Sequence, residues 1–102
     1  SPWRFGWGND ISEQIADAVQ HQYPDRSINI WKAIAESHIN QKNPKEYGIA
    51  MGYLKKIMKV LIQNVRESEF KTYIAALRAE HIRKYRLVEM LDALTGKRII
   101  DE

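Results

Sequence analysis

Residues 43–65, NPKEYGIAMGYLKKIMKVLIQNV, decide how the chain folds. Asn43 offers a side-chain oxygen to an unpaired N–H of a first helical turn. Pro44 suits the first helical position, where its missing N–H is no loss, and Glu46 puts a carboxylate in the first turn. Behind them Tyr47, Ala50, Met51, Leu54, Ile57, Met58, Leu61 and Val65 recur at steps of three and four, the period of one helix face. Gly48 and Gly52 interrupt this pattern at a cost of about 1 kcal/mol each relative to alanine. One turn apart beside Ala50, they predict the close approach of another helix. The plainer reading is two exposed glycines that only weaken the helix.

The same period recurs on both sides. Upstream, Asp10 and Glu13 stand three apart at a helix start, and Ile11, Ile15, Ala18 and Val19 form a stripe that Tyr23-Pro24 ends. A second helix runs from Pro24 to about Asn40, with Ile28, Trp31, Ile34, Ala35, His38 and Ile39 on one face. Downstream, after a link over 63–67 and a cap at Ser68, Phe70, Tyr73, Ile74, Leu77, His81, Tyr85, Val88, Leu91 and Leu94 predict one helix of about seven turns. Thr95-Gly96 ends it, glycine being usual just past a helix end. The lead-in 1–9, SPWRFGWGN, has no period, and 97–102 form a tail. The expected fold is all-α: a helical repeat domain over 10–96 with about four antiparallel helices stacked as helical hairpins, a tetratricopeptide-like solenoid fragment.

The bulk properties fit one domain. The chain has 102 residues, 44% of them hydrophobic, near the globular norm. There is no cysteine, which excludes disulfides, thiolate nucleophiles and cysteine-ligated metal within this stretch and leans toward the cytoplasm. No apolar run of about 18 residues is present, so no membrane span is expected. Ser1-Pro2 lacks an initiating methionine, and the expectation is a piece of a longer protein. Formal net charge is +3, unevenly spread. Residues 1–51 hold five Lys/Arg against six Asp/Glu, and residues 52–102 hold eleven against seven.

No catalytic pattern emerges. His21, His38 and His81 lack metal-ligand spacing, and His38 and His81 sit on apolar stripes, as hydrogen-bonded core or boundary histidines do. Asp10, Glu13 and Asp17 suit the positive end of a helix dipole without invoking acid–base work. Gly6-Trp7-Gly8 lacks the Lys-Ser/Thr of a phosphate loop. The expectation is no enzyme and no cofactor in this segment.

Three surfaces are candidates for binding. Lys55, Lys56 and Lys59 on the third helix, with Arg78, Arg83, Lys84 and Arg86 on the fourth, could contact phosphates if they align. The alternative is a solvated face with Glu80–Lys84 as a helical pair. Trp31, Tyr47 and Tyr53, together with Tyr73, could line a peptide groove or belong to ordinary core. Trp3 and Trp7 lie in the lead-in, where little local core is available, and are the better interface candidates. An exposed apolar end of a repeat stack would also permit weak dimerisation.

Residues 23–94 resemble the C-terminal helical region of bacterial SWIM zinc-finger proteins. The stretches that carry the resemblance are Tyr23-Pro24-Asp25 leading into Ile30-Trp31-Lys32, then Tyr47-x-x-Ala50-x-x-x-Leu54-Lys55-Lys56. The last is Phe70-x-x-Tyr73-Ile74-x-x-Leu77-Arg78-x-x-His81-x-Arg83-Lys84. The resemblance implies tetratricopeptide-like hairpins that follow a zinc finger. The finger's two cysteines and two histidines have no counterpart in this chain, so the zinc would lie elsewhere in the parent protein. The implied role is protein interaction or scaffolding beside that finger, with accessory nucleic-acid binding by the basic helices as the runner-up.

Overall fold

A computed structural model describes residues 6–96. Those residues form five α-helices and no strand: α1 (Gly6–Val19), α2 (Pro24–Ile39), α3 (Pro44–Gln63), α4 (Glu67–Glu80) and α5 (Tyr85–Leu94). The described residues are all-α, as expected, with five helices where about four were expected.

The start of α3 follows the sequence closely. The Lys45 N–H donates to Asn43 Oδ1 at 3.0 Å, and Pro44 occupies the first turn. At the other end of α3 the chain turns through Asn64, Val65 and Arg66. The Arg66 N–H donates to the Leu61 carbonyl at 2.8 Å and the Val65 N–H to the Ile62 carbonyl at 3.0 Å. This is a Schellman ending, whose left-handed position usually holds glycine. Here it holds Val65, at φ 58°. Val65 was expected on the apolar stripe; it lies past the helix and is 92% exposed.

Two side-chain pairs at the helix ends show the direction of α2 against α3. His38 near the end of α2 meets Glu46 at the start of α3 at 2.6 Å, and Asp25 at the start of α2 meets Arg66 just past α3 at 2.7 Å. The two helices are therefore antiparallel, and their facing residues dominate the core. Trp31, Ile28, Ala35 and Ile39 of α2 pack with Tyr47, Ala50, Met51, Leu54, Ile57, Val60 and Leu61 of α3. α1 lies on α2 at a close crossing. There Ala16 is fully buried, and the buried Ser27 hydroxyl donates to the Ala16 carbonyl at 2.6 Å. The backbone of α1 is helical from Gly6, four residues before the expected start at Asp10.

The expected long fourth helix breaks. α4 stops at Glu80, and α5 begins at Tyr85 after a turn in which the Lys84 N–H donates to the His81 carbonyl at 2.8 Å. The physical reason lies in the core residues. On an unbroken helix at 100° per residue, Leu87 would sit well off the face that carries Phe70, Ile74 and Leu77. The turn re-aims the chain so that Leu87 and Leu91 become fully buried, while Tyr85, expected in the stripe, is 80% exposed. α5 packs on both α3 and α4, and the Arg78 Nε donates to Asp92 Oδ1 at 2.8 Å between α4 and α5. Ser68, expected as a cap, lies inside the first turn of α4, and Arg66 takes the cap position.

The assembly measures 47 × 32 × 17 Å. Its thin direction corresponds to about two packed helices, so most helices keep one flank free. α1 and α5 sit on opposite flanks of α3. Tyr53 and Lys56 face α1, and Met51 and Met58 border α5.

Candidate interaction surface

A groove of about 520 Å³ opens between α3 and α5. Gly48, Met51, Lys55 and Met58 line it from α3, and Met90, Ala93 and Leu94 from α5. The chain has three methionines, and all three are in this lining. Met51 and Met58 sit seven residues apart on one helix face; Met90 joins them only because the turn at 81–84 folds α5 back. The groove continues past Met58 and Leu94 toward Phe70, Lys71 and Gly96, with Glu67 at that end. Methionine has three rotatable bonds and a polarisable sulfur, so it adapts to the shape of an apolar partner.

Gly48 and Gly52 belong to the same side of α3. A Cβ added at either meets nothing within 4 Å. The expected close approach of a second helix is therefore not made within the described fold, and both glycines are exposed.

A polar and aromatic cluster joins α1, α2 and α3 on the opposite flank. The Tyr53 hydroxyl donates to Glu13 Oε1 at 2.8 Å, and Lys56 Nζ donates to Asp17 Oδ1 at 2.9 Å. The His38 and Tyr53 rings stack with centroids 6.1 Å apart, and Lys56 lies 5.6 Å from the Trp31 ring centroid. These residues hold helices together. Trp31 and Tyr47, expected to be able to line a partner surface, are core residues at 1% and 6% exposure. Tyr53 is half-buried and committed to Glu13. The indole N–H of Trp31 is buried with no hydrogen-bond partner among the described residues. Trp3 lies outside the described residues. Trp7 falls within α1, and its side chain lies outside them too.

A second polar cluster links α2 to α4. The Tyr73 hydroxyl donates to a Glu36 carboxylate oxygen, and Lys32 Nζ sits 4.4 Å from the Tyr73 ring centroid. Burial and the neighbouring Glu36 raise the Tyr73 hydroxyl well above its usual pKa. At the end of α4 the Lys84 ammonium donates to His81 Nδ1 at 2.8 Å. Burial first, and Lys84 second, push the His81 imidazole below its usual pKa, so it is neutral at pH 7. Lys84 thus pairs with His81 and not with Glu80, because the helix that would have joined Glu80 to Lys84 ends between them.

The seven candidate phosphate contacts divide. Lys56 is tied to Asp17 and Glu13, Arg78 to Asp92, and Lys84 to His81. Lys55, Lys59, Arg83 and Arg86 are exposed and form no ion pair with a described residue. Lys55 and Lys59 stand one turn apart on α3, whereas Arg83 lies within the α4–α5 turn and Arg86 in the first turn of α5. Among the described residues no group of three or more His, Cys, Asp or Glu could hold a metal ion, and no helix is long and apolar enough to cross a membrane.

The chain matches no protein-family model, no curated protein and no solved structure.

Of this surface, the sequence reading found Lys55 but missed the methionines, Gly48 as lining, and Leu94. Met51 and Met58 carried a faint signal in their seven-residue spacing. Met90 carried none, since its place depends on a helix break that periodicity hides.

Proposed function

We propose that the chain is a non-catalytic helical interaction module whose contact surface for a protein partner is the α3–α5 groove. The observation that carries this reading is the gathering of all three methionines, with Leu94 and Ala93, along one open apolar groove. Native monomers keep large apolar patches covered unless they are used for binding. In this reading the helices stack as tetratricopeptide-like hairpins. The module serves as a scaffold within a larger SWIM-type zinc-finger protein, bacterial and cytoplasmic, with its zinc outside this segment. The family part of the reading rests on the resemblance alone.

The methionines also supply the test. With ¹³C-labelled methionine methyl groups, the full chain is titrated with amphipathic helical peptides that carry acidic or basic flanks. Shifts of all three methyl signals are the expected result. Unmoved signals with every peptide would remove the groove from consideration.

A second reading, accessory nucleic-acid binding, is favoured by Lys55, Lys59, Arg83 and Arg86, four exposed candidate cations that form no ion pair with a described residue. Titration with mixed-sequence single- and double-stranded nucleic acid separates the two. Phosphate binding weakens steeply with salt, and replacing Arg83, Lys84 and Arg86 by alanine would abolish it.

A further inference from the structure

We infer that the α3–α5 groove of one copy receives helix α1 of a second copy, so that the chain associates head to tail. This rests on the reading of the groove as a protein-binding surface and names its occupant.

The occupant is argued from α1 itself. Ile11 and Ile15 are 46% and 40% exposed, although both are large and apolar. With the exposed Ala18 they fall on one face of α1 at steps of four and three. That face points away from Ala16, which is buried against α2. Ile11 to Ala18 spans about 10 Å of helix, and the groove follows α3 from Gly48 to Met58 for about 15 Å. The knob therefore fits within the length of the groove. Gly48, exposed in the lining with open space where a Cβ would be, leaves room for a helix backbone to approach.

Charge points the same way. α1 contains Asp10, Glu13 and Asp17 and no lysine or arginine, and Lys56 of the same chain, shared by Glu13 and Asp17, offsets one of these three charges. The groove carries Lys55 in its lining and Lys71 in its continuation. Lys59 lies one turn beyond Lys55, and Arg86 one turn before Met90. None of these four cations forms an ion pair with a described residue. Glu67 and Glu89 are the opposing carboxylates, so the rim is net positive where α1 is net negative. Complementary potentials of this kind favour encounter and fix orientation.

Geometry decides the mode of assembly. α1 packs on α2, whereas α5 packs on α3 and α4, and α1 and α5 make no packing contact with each other among the described residues. Knob and groove are thus different surfaces of the same chain, and a contact between them can repeat from copy to copy. One helix in one groove buries less than a standard stable interface, so the association is weak and reversible.

The experiment is sedimentation velocity on the full chain over a concentration series, at low and moderate salt. The sedimentation coefficient is expected to rise with concentration, less steeply at higher salt. Two variants then isolate the contact. Ile11→Lys with Ile15→Lys removes the knob and leaves the groove; Lys55→Glu with Met90→Glu removes the groove and leaves the knob. Each alone is expected to sediment as a monomer where the unchanged chain associates. Their equimolar mixture is expected to form a one-to-one dimer and stop there, because one intact knob–groove pair remains. Far-UV circular dichroism identical to that of the unchanged chain confirms that each variant is folded. Lys55→Glu with Arg86→Glu, both at exposed positions, replaces the groove variant if Met90→Glu unfolds. A monomer at every concentration would overturn the inference, as would a knob variant that still associates or a mixture of folded variants that does not. Methionine shifts with peptides from a chain that stays monomeric would overturn this inference alone, leaving the groove as a site for another protein.

Discussion

The Ser27 hydroxyl donates to the Ala16 carbonyl at 2.6 Å, across the point where α1 and α2 cross, and both residues are fully buried. The hydroxyl satisfies itself on a helix carbonyl, and its small size allows the two backbones to come close. Replacing Ser27 by Ala deletes one hydrogen bond and is expected to cost about 1 kcal/mol. Ser27→Leu must push the helices apart, at about 1–3 kcal/mol. Urea unfolding of both variants checks the order. Equal effects would mean that α1 is not held at this crossing.

Val65 occupies the left-handed position of the α3 ending at φ 58°. A β-branched side chain is strained there, by about 1–2 kcal/mol. It is almost fully exposed, so nothing is gained from burying it. Val65→Gly is therefore expected to stabilise the chain by about 1 kcal/mol, after the greater freedom of glycine in the unfolded state is set against the relief of strain. A shift of the urea midpoint to higher concentration at unchanged slope is the confirming result.

Gly52 lies in the interior of α3 with open space where a Cβ would be. Gly52→Ala is expected to stabilise the chain by about 1 kcal/mol through helix propensity alone. A loss of stability in thermal unfolding would show that a neighbour reaches this position after all.

His81 gives stability a pH dependence with a definite sign. Burial, and next the ammonium of Lys84, lower its pKa from the usual 6.5, against the opposing pull of Glu80 and Glu36. Near and below pH 6.5 the unfolded chain takes up a proton that the folded chain still refuses. Its contribution is complete above the unfolded value and is lost as pH falls toward the folded one. Stability is expected to decline as the pH drops from 7.5 through 5.5, and His81→Gln should flatten that decline. The Glu69 carboxylate, held below its usual pKa of 4.5 by Arg66, acts only at lower pH and does not obscure this window. Urea midpoints at several pH values, with and without the substitution, provide the check.

Much of the fold was legible in the sequence wherever local chemistry was decisive. Asn43-Pro44 starts α3, Tyr23-Pro24 separates α1 from α2, and Thr95-Gly96 ends α5 with Gly96 at φ 71°. Cap oxygens, the missing proline N–H and the freedom of glycine act within a few residues, so the linear order of residues suffices to show them. The 3.6-residue period identified Ile28, Leu54, Ile57 and Phe70 as core for the same reason.

What the sequence determined, then, is an all-α class, the starts of α2 and α3 and most of the buried stripe. Those properties depend on hydrogen bonds and side-chain spacing along a single helix. Tertiary structure alone decided where α4 ends, since only packing against α3 makes Leu87 and Leu91 worth burying at the expense of four residues of helix. It also decided that Trp31 and Tyr47 belong to the core, and that Lys56, Arg78 and Lys84 already have partners. The groove is its clearest product. Met51 and Met90 are thirty-nine positions apart, and only the fold-back of α5 across α3 lays them side by side.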